Sequence, residues 1–316
     1  MKSRTPLTQR GAALLAAMLT VALIATFAAG ALWQQWKDLE VESAERQRSQ
    51  ARWLLTGALD WARVILREDY LADNNTNTQT THLAKPWAVP LQEIRMSSFL
   101  AAMPGDTGSR LDDTKFTQQV FLSGEIKDLQ GRLNIINLLQ SDQLDSKTAV
   151  AFERLFDVLG IPPDQLKLLT QGLLAVQKQN SSSPLLPQRI NQLSWFGLSP
   201  HALQTLGPHI TALPSGTTVN LNTASVQVLY ASVPGLSLSD ATRLVQQREH
   251  QHWSDVGMFQ KAWGGGIDLK NTHDVKSTYF EVLGRLRMPH TTLQDLSVLQ
   301  REGATVKVLW RDFGIQ

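Results

Sequence analysis

From Ala12 to Leu32 the chain carries no charge for 21 residues, and after Arg10 the first charged side chain is Lys37. Coiled as a helix at about 1.5 Å per residue, this run covers roughly 30 Å, the hydrocarbon thickness of a bilayer. Trp33 and Trp36 follow at the level of an interfacial aromatic belt, while Lys2, Arg4 and Arg10 precede the run. Positive charge before the span predicts a cytoplasmic N-terminus with the body on the far side. A cleavable secretory signal shares these ingredients, and FAAGA at 27–31 offers small residues to a peptidase. The next forty residues argue against shedding. Between Trp33 and Tyr70 there is no proline, and Gly57 is the sole glycine. Ala51, Leu54, Leu55, Ala58, Ala62, Ile65 and Leu66 form an apolar stripe at helical spacing, with the charges of LEVESAERQRSQAR crowded elsewhere. The membrane run thus continues into one long amphipathic helix, which a discarded signal has no reason to do.

Charge and composition narrow the body. Without Lys2, Arg4 and Arg10, 27 basic residues face 28 acidic ones, which gives no general nucleic-acid surface. Apolar residues at 42% suit a folded domain. Zero cysteines excludes disulfides, thiolate metal sites and cysteine nucleophiles.

Along the chain, LADNNTNTQTTHLAKPWAVP reads as a loop, and FTQQVFLSGEIKDL at 116–129 as two β-like runs turning at Ser123-Gly124. Tyr279–Met288, Leu293–Arg301 and Thr305–Trp310 read as closing strands, with Gly303 in the last turn. Between them Ser146–Leu159, Pro163–Gln177, Asn191–Trp195, Pro200–Leu206, Ser225–Ala231 and Ser239–Glu249 are helix candidates, with a serine-rich surface loop at 180–184. A set of helices inserted into a β-meander is the economical description.

The leader carries a resemblance. Basic residues ending in Arg10-Gly11, an apolar run directly after, and an unbroken helix beyond resemble a type IV prepilin. That likeness implies prepilin-peptidase cleavage between Gly11 and Ala12, N-methylation of Ala12, and retention of the apolar helix. The glutamate usual five residues into the mature chain is Ala16 here. That glutamate neutralises the terminal amine of the subunit above, and an unpartnered buried carboxylate is costly, so Ala16 suits a subunit with nothing above it. Ala12/Ala16, Ala13/Ala17, Ala25/Ala29 and Thr26/Gly30 are small-xxx-small pairs that permit close helix packing in the membrane.

GEIKDLQGRLNIINLL at 124–139, PQRINQL at 187–193, VNLNTASVQVLYASVPGLSLSDA at 219–241 and SVLQRE at 297–302 together resemble the GspK family of type II secretion minor pseudopilins. The family implies an α+β fold: a pilin-like long N-terminal helix packed on a small antiparallel sheet, with a large all-α domain inserted between strands. Expected boundaries are a leader at 1–11, a transmembrane half-helix at 12–36, pilin α/β portions at 37–133 and 275–316, and the insert at 134–274. The likeness implies a single-pass inner-membrane protein with a periplasmic body at the tip of a pseudopilus. Implied partners are GspI- and GspJ-type minor pseudopilins, the major pseudopilin and the prepilin peptidase.

Other chemistry finds little support. The 219–251 stretch also resembles a helix-hairpin-helix DNA-binding module, the basis of an alternative reading as an anchored DNA-uptake protein. However, Gly235-Leu236-Ser237 lacks the second glycine, and Asp240 stands where a base would help, so no nucleic acid is expected. Asn220, Asn222 and Thr223 read as caps and turn residues around the helix from Ser225. Seven histidines are scattered: His82, His201, His209, His250, His252, His273 and His290. His250 and His252 form H-x-H without a third ligand at useful spacing, and suit a helix C-terminus better than a metal. Asp112 with Asp113, and Asp268 with Asp274, are pairs that calcium could use, yet no D-x-D-x-D-G series occurs. The acidic D-W-I-D-x-D segment of GspK relatives corresponds to LTQGLLAVQKQ at 169–179, which has no acid, so the insert does not support the calcium that the resemblance would allow, and no cofactor is expected. Gly264–Gly266 lacks the lysine and helix start of a phosphate loop. No nucleophile elbow or catalytic carboxylate pair stands out, and no enzymatic activity is expected.

Overall fold

The computed structural model describes residues 9–76, 78–102, 115–140, 143–177, 184–289 and 291–315. It comprises two compact units, Met1–Thr56 and Gly57–Gln316. Helix α1 runs from Gln9–Thr76 without interruption. In the first unit, residues 11–50 are exposed throughout. The hydroxyls of Thr20 and Thr26 donate to the carbonyls of Ala17 and Leu23 at 2.9 and 2.8 Å, so polar groups in the apolar run are satisfied within the helix. Trp33 and Trp36 stack obliquely at 5.6 Å. Beyond them Glu42–Arg46 and Glu45–Arg48 form solvated pairs at 3.0 and 3.1 Å. Among the described residues, this helix is the one long and apolar enough to cross a membrane.

In the second unit, α1 is followed by β1 (Leu91–Arg95), α2 (Met96–Ala102) and β2 (Phe121–Asp128). The chain continues through β3 (Leu133–Asn134), α3 (Ser146–Val158), α4 (Pro163–Gln177), a 3-10 turn at Ile190–Phe196, α5 (Pro200–Leu206) and β4 (Ile210–Thr211). Next come β5 (Val219–Asn220), α6 (Val226–Ser232), α7 (Leu238–His250), α8 (Val256–Trp263) and β6 (His273–Asp274). Strands β7 (Tyr279–Arg287), β8 (Thr292–Glu302) and β9 (Thr305–Ile315) close the chain.

A five-stranded antiparallel sheet has the order β1-β2-β7-β8-β9. Neighbouring strands β2 and β7 are therefore separated by the whole helical section, with Asp128 opposite Phe280 at the splice. Leu59, Ala62 and Leu66 of α1 pack with Phe280, Val282, Leu299 and Trp87. The helical section has its own core, in which Phe152, Phe156, Leu193, Leu229, Leu244 and Phe259 are buried. Its helix starts follow directly from capping side chains: Asp145, Ser199, Ser225, Ser237 and Asp255 each accept from the backbone N–H three residues on. Gly172 of α4 makes room for Phe196, whose ring would lie 2.2 Å from an added Cβ.

Several local expectations change. Ser123-Gly124 is not a hairpin turn but lies inside β2, where Gly124 faces Gly284. A Cβ there would stand 2.9 Å from the Leu283 carbonyl, so the glycine serves a close strand approach. Strand β1 and helix α8 were not foreshadowed, and Asn191–Trp195 lies in a 3-10 turn, not an α-helix.

Candidate functional site

The residues singled out in the N-terminal run, Gly11, Ala12, Ala13, Ala16, Ala17, Ala25 and Ala29, are helical and exposed. At 3.6 residues per turn, Ala12, Ala13, Ala16 and Ala17 share an arc of about 140°. Lys2, Arg4, Asp112, Asp113, His290 and residues 180–183 lie outside the described residues.

In the body, one buried polar network joins α1, the sheet and the helical section. Asp128, at the end of β2, is the centre. Its carboxylate accepts from the Gln130 N–H at 2.8 Å, the Asn220 carboxamide at 2.9 Å, and the hydroxyls of Thr223 and Ser277 at 2.6 Å each. Burial pushes this carboxyl above its ordinary range, and the four donated hydrogen bonds pull it back. Every neighbour donates, so the arrangement fits the ionised form. Gly131 allows Thr223 to approach, since an added Cβ would come within 2.9 Å of its hydroxyl. Asn220 also donates to the Thr81 carbonyl, and the Asn222 side chain brackets the N–H and carbonyl of Trp253. The asparagines and Thr223 thus hold structure, as their residue types suggested, but across the fold; Ser225 is the helix cap.

The network continues through Thr81 to Arg301. This guanidinium donates to Thr81 Oγ1 and the Ser277 carbonyl at 3.1 Å each, and to Asp69 on α1 at 2.7 Å. Lys85 completes the cluster, bridging Asp69 and Asp73. Two cations and two carboxylates balance, which is what permits their burial. Beside them, the rings of His82 and His252 stack with centroids 3.9 Å apart and planes 10° from parallel. Burial lowers His82 to about 4, with further contributions from His252 and Lys85.

Arg189, from the PQRINQL stretch, lies 4.5 Å over Trp310 and pairs with Asp312 at 2.7 Å. It thereby ties the 3-10 turn to β9 above a groove of about 810 Å³ lined by Trp87, Leu213, Val298 and Trp310.

The DNA-like hairpin is fastened from within. Arg154 of α3 donates to the carbonyls of Val233 and Leu236 at 2.9 and 2.6 Å and lies over Tyr230. At the N-terminus of α7, where a phosphate would sit, the Asp240 carboxylate accepts from Ser237 and Arg243. The Ser237 hydroxyl foremost, then Arg243, holds Asp240 below its usual range, so the position is already anionic.

His250 is exposed and His252 turns to His82, so the H-x-H pair is not brought together as ligands. Asp268 accepts from the Lys270 N–H in the loop after α8, and Asp274, in β6, accepts from the Val275 N–H. Among the described residues, no group of three His, Cys, Asp or Glu could hold a metal. Gly264, at φ 84°, ends α8.

A long helix on an antiparallel sheet, with a helical section spliced between adjacent strands, defines a pilin-like α+β protein. The profile described as type II secretion system (T2SS), protein K matches residues 219–276, the stretch that includes Asn220, Asn222 and Thr223. Type II secretion system protein K of Pseudomonas aeruginosa is 24% identical over 331 residues, covering 97% of this chain and 93% of that protein. The proteins K of Pectobacterium carotovorum subsp. carotovorum and Klebsiella pneumoniae are each 26% identical, with 97% of both chains covered. A chain in the crystal structure of the GspK-GspI-GspJ complex from the enterotoxigenic Escherichia coli type 2 secretion system superposes with a TM-score of 0.63 at 20% identity. That match covers 86% of this chain and 98% of the other. The chain is a relative of type II secretion system protein K, with the fold of that complex's matching chain.

Proposed function

We propose that this chain is the minor pseudopilin at the tip of a type II secretion pseudopilus, where it starts assembly for export of folded proteins across the outer membrane. The observation that carries the reading is the splice: a bulky helical section leaves and re-enters between paired strands β2 and β7. The section adds mass to the body without interrupting the sheet or α1. A subunit so enlarged obstructs stacking above it while leaving its long helix free to bundle below.

The N-terminal run supplies the rest. Prepilin peptidase cuts between Gly11 and Ala12, Ala12 is methylated, and residues 12–36 span the inner membrane with the body in the periplasm. The small-residue face of Ala12, Ala13, Ala16 and Ala17, and the pair Ala25/Ala29, receive the helices of GspI- and GspJ-type partners. The major pseudopilin then adds from below. Ala16 fits a position with no terminal amine above it to neutralise. The role is mechanical, and the body is divided near 134 and 274 into a pilin core and a head. The DNA-uptake alternative gains nothing from a hairpin whose phosphate position carries Asp240.

Because Asp128 and Phe280 are directly paired, residues 130–278 can be replaced by a short turn that closes β2 onto β7. The expected result is lost secretion with pseudopili of abnormal length or number. Normal secretion and normal pseudopilus length in that variant would overturn the proposal.

A further inference from the structure

We propose that the stacked imidazoles of His82 and His252 form a proton-sensitive latch, fastening the segment after α1 to the helical section and releasing it on acidification. The rings lie 3.9 Å apart and nearly parallel, one from the segment after α1, the other from the loop after α7. The Nδ1 of His82 is buried and has no hydrogen-bond partner among the described residues. A proton placed there creates a cation with no acceptor, against the face of a second imidazole.

The charged surroundings do not rescue it. From α1, Asp69 and Asp73 face the site, but Asp69 already serves Lys85 at 3.0 Å and Arg301 of β8 at 2.7 Å. Asp73 serves Lys85 and the Thr80 N–H. Lys85 and Arg301 therefore use up both carboxylates, and a third cation makes the cluster net positive. Burial foremost, then His252 and Lys85, holds His82 near 4 against an ordinary value of 6.5, with Asp69 and Asp73 opposing only in part. Proton uptake is relieved when the ring leaves the stack. The residue before it, Thr81, links Arg301, Ser277 and Asn220, so release of this segment loosens the joint between sheet and helical section.

The test is hydrogen exchange on the detergent-solubilised full chain at pH 7.0 and 4.5, corrected for intrinsic rates, on peptides covering 78–90 and 251–253. Full titration from 6.5 to about 4 limits the increase in opening between pH 7.0 and 4.5 to roughly 60-fold, which partial solvent access of the ring reduces to about tenfold. His82→Phe, which can stack but not titrate, is expected to abolish this increase in the 78–90 peptides, while the 251–253 peptide, which carries Trp253 of the helical core, keeps the part of its response that comes from His273. Peptides of the helical core should still respond to acid through their own histidines. If the phenylalanine variant does not fold at pH 7.0, His82→Gln carries the same comparison. Unchanged protection of the wild-type peptides at pH 4.5 would overturn the latch, as would equal acid-induced opening in the non-titrating variant.

Discussion

Replacing Asp128 by alanine removes the acceptor on which the joint between sheet and helical section converges. Four donors lose their partner: the Gln130 N–H, the Asn220 carboxamide and the hydroxyls of Thr223 and Ser277. The hydroxyls can rotate towards other acceptors, and Asn220 keeps the Thr81 carbonyl at 3.0 Å. The Gln130 N–H cannot turn away, and the second Asn220 proton has only the Ser277 hydroxyl left. Each buried unsatisfied donor costs about 1–3 kcal/mol. Against this stands relief from burying a carboxylate, the effect that pushes Asp128 upward. The net expectation is a loss of about 2–4 kcal/mol. Urea denaturation of the detergent-solubilised full chain, followed by tryptophan fluorescence, measures it. Because the network spans two cores, the variant should also unfold less cooperatively, with the helical section melting apart from the sheet. Asp164→Ala, which removes an exposed acid of the first turn of α4 and its pair with Lys167, should cost no more than about 1 kcal/mol. A comparably small loss for Asp128→Ala, with one unchanged transition, would refute the argument.

Gly172→Ala places a Cβ 2.2 Å from the Phe196 ring in the helical core; the expected cost is about 1–3 kcal/mol by the same denaturation measurement, and a neutral result would show that the core yields there. Stability should also fall in acid because of His273, which burial lowers from 6.5 to about 4. The sign follows from proton uptake: between those values the unfolded chain binds a proton that the folded chain refuses. Stability is therefore full above pH 6.5 and lost as pH falls towards 4, by up to about 3 kcal/mol. His273→Gln should flatten the wild-type slope between pH 7 and 4.5, and an unaltered slope would contradict the assignment.

How much was legible depended on the range of the interaction. The helices around 146–177 and 200–250 announce themselves through caps one turn away and apolar periodicity, both local signals. The closing strands alternate, and Gly303 marks their turn with a φ of 60°. Strand β1 was hidden because it is short, follows two prolines and is mostly exposed, so no buried face shows in its pattern. Gly124 misled for a related reason: a glycine demanded by a strand 160 residues further on resembles one demanded by a turn. The polar network was the least legible part. Asp128 meets Asn220 and Ser277 from 92 and 149 positions away, and Arg301 meets Asp69 from 232. Such residues look like surface residues to any periodicity argument. The only trace was that Asp128, Asn220, Arg189 and Arg301 all fall in the four stretches that carried the family resemblance.

The account turns on whether α1 survives maturation with its apolar half attached. Intact-mass and N-terminal peptide analysis of the chain purified from membranes decides this directly. A mature N-terminus at Ala12 bearing a methyl group, with residues 12–32 present, is the predicted result. A chain beginning near Ala31 and recovered free of the membrane would contradict it.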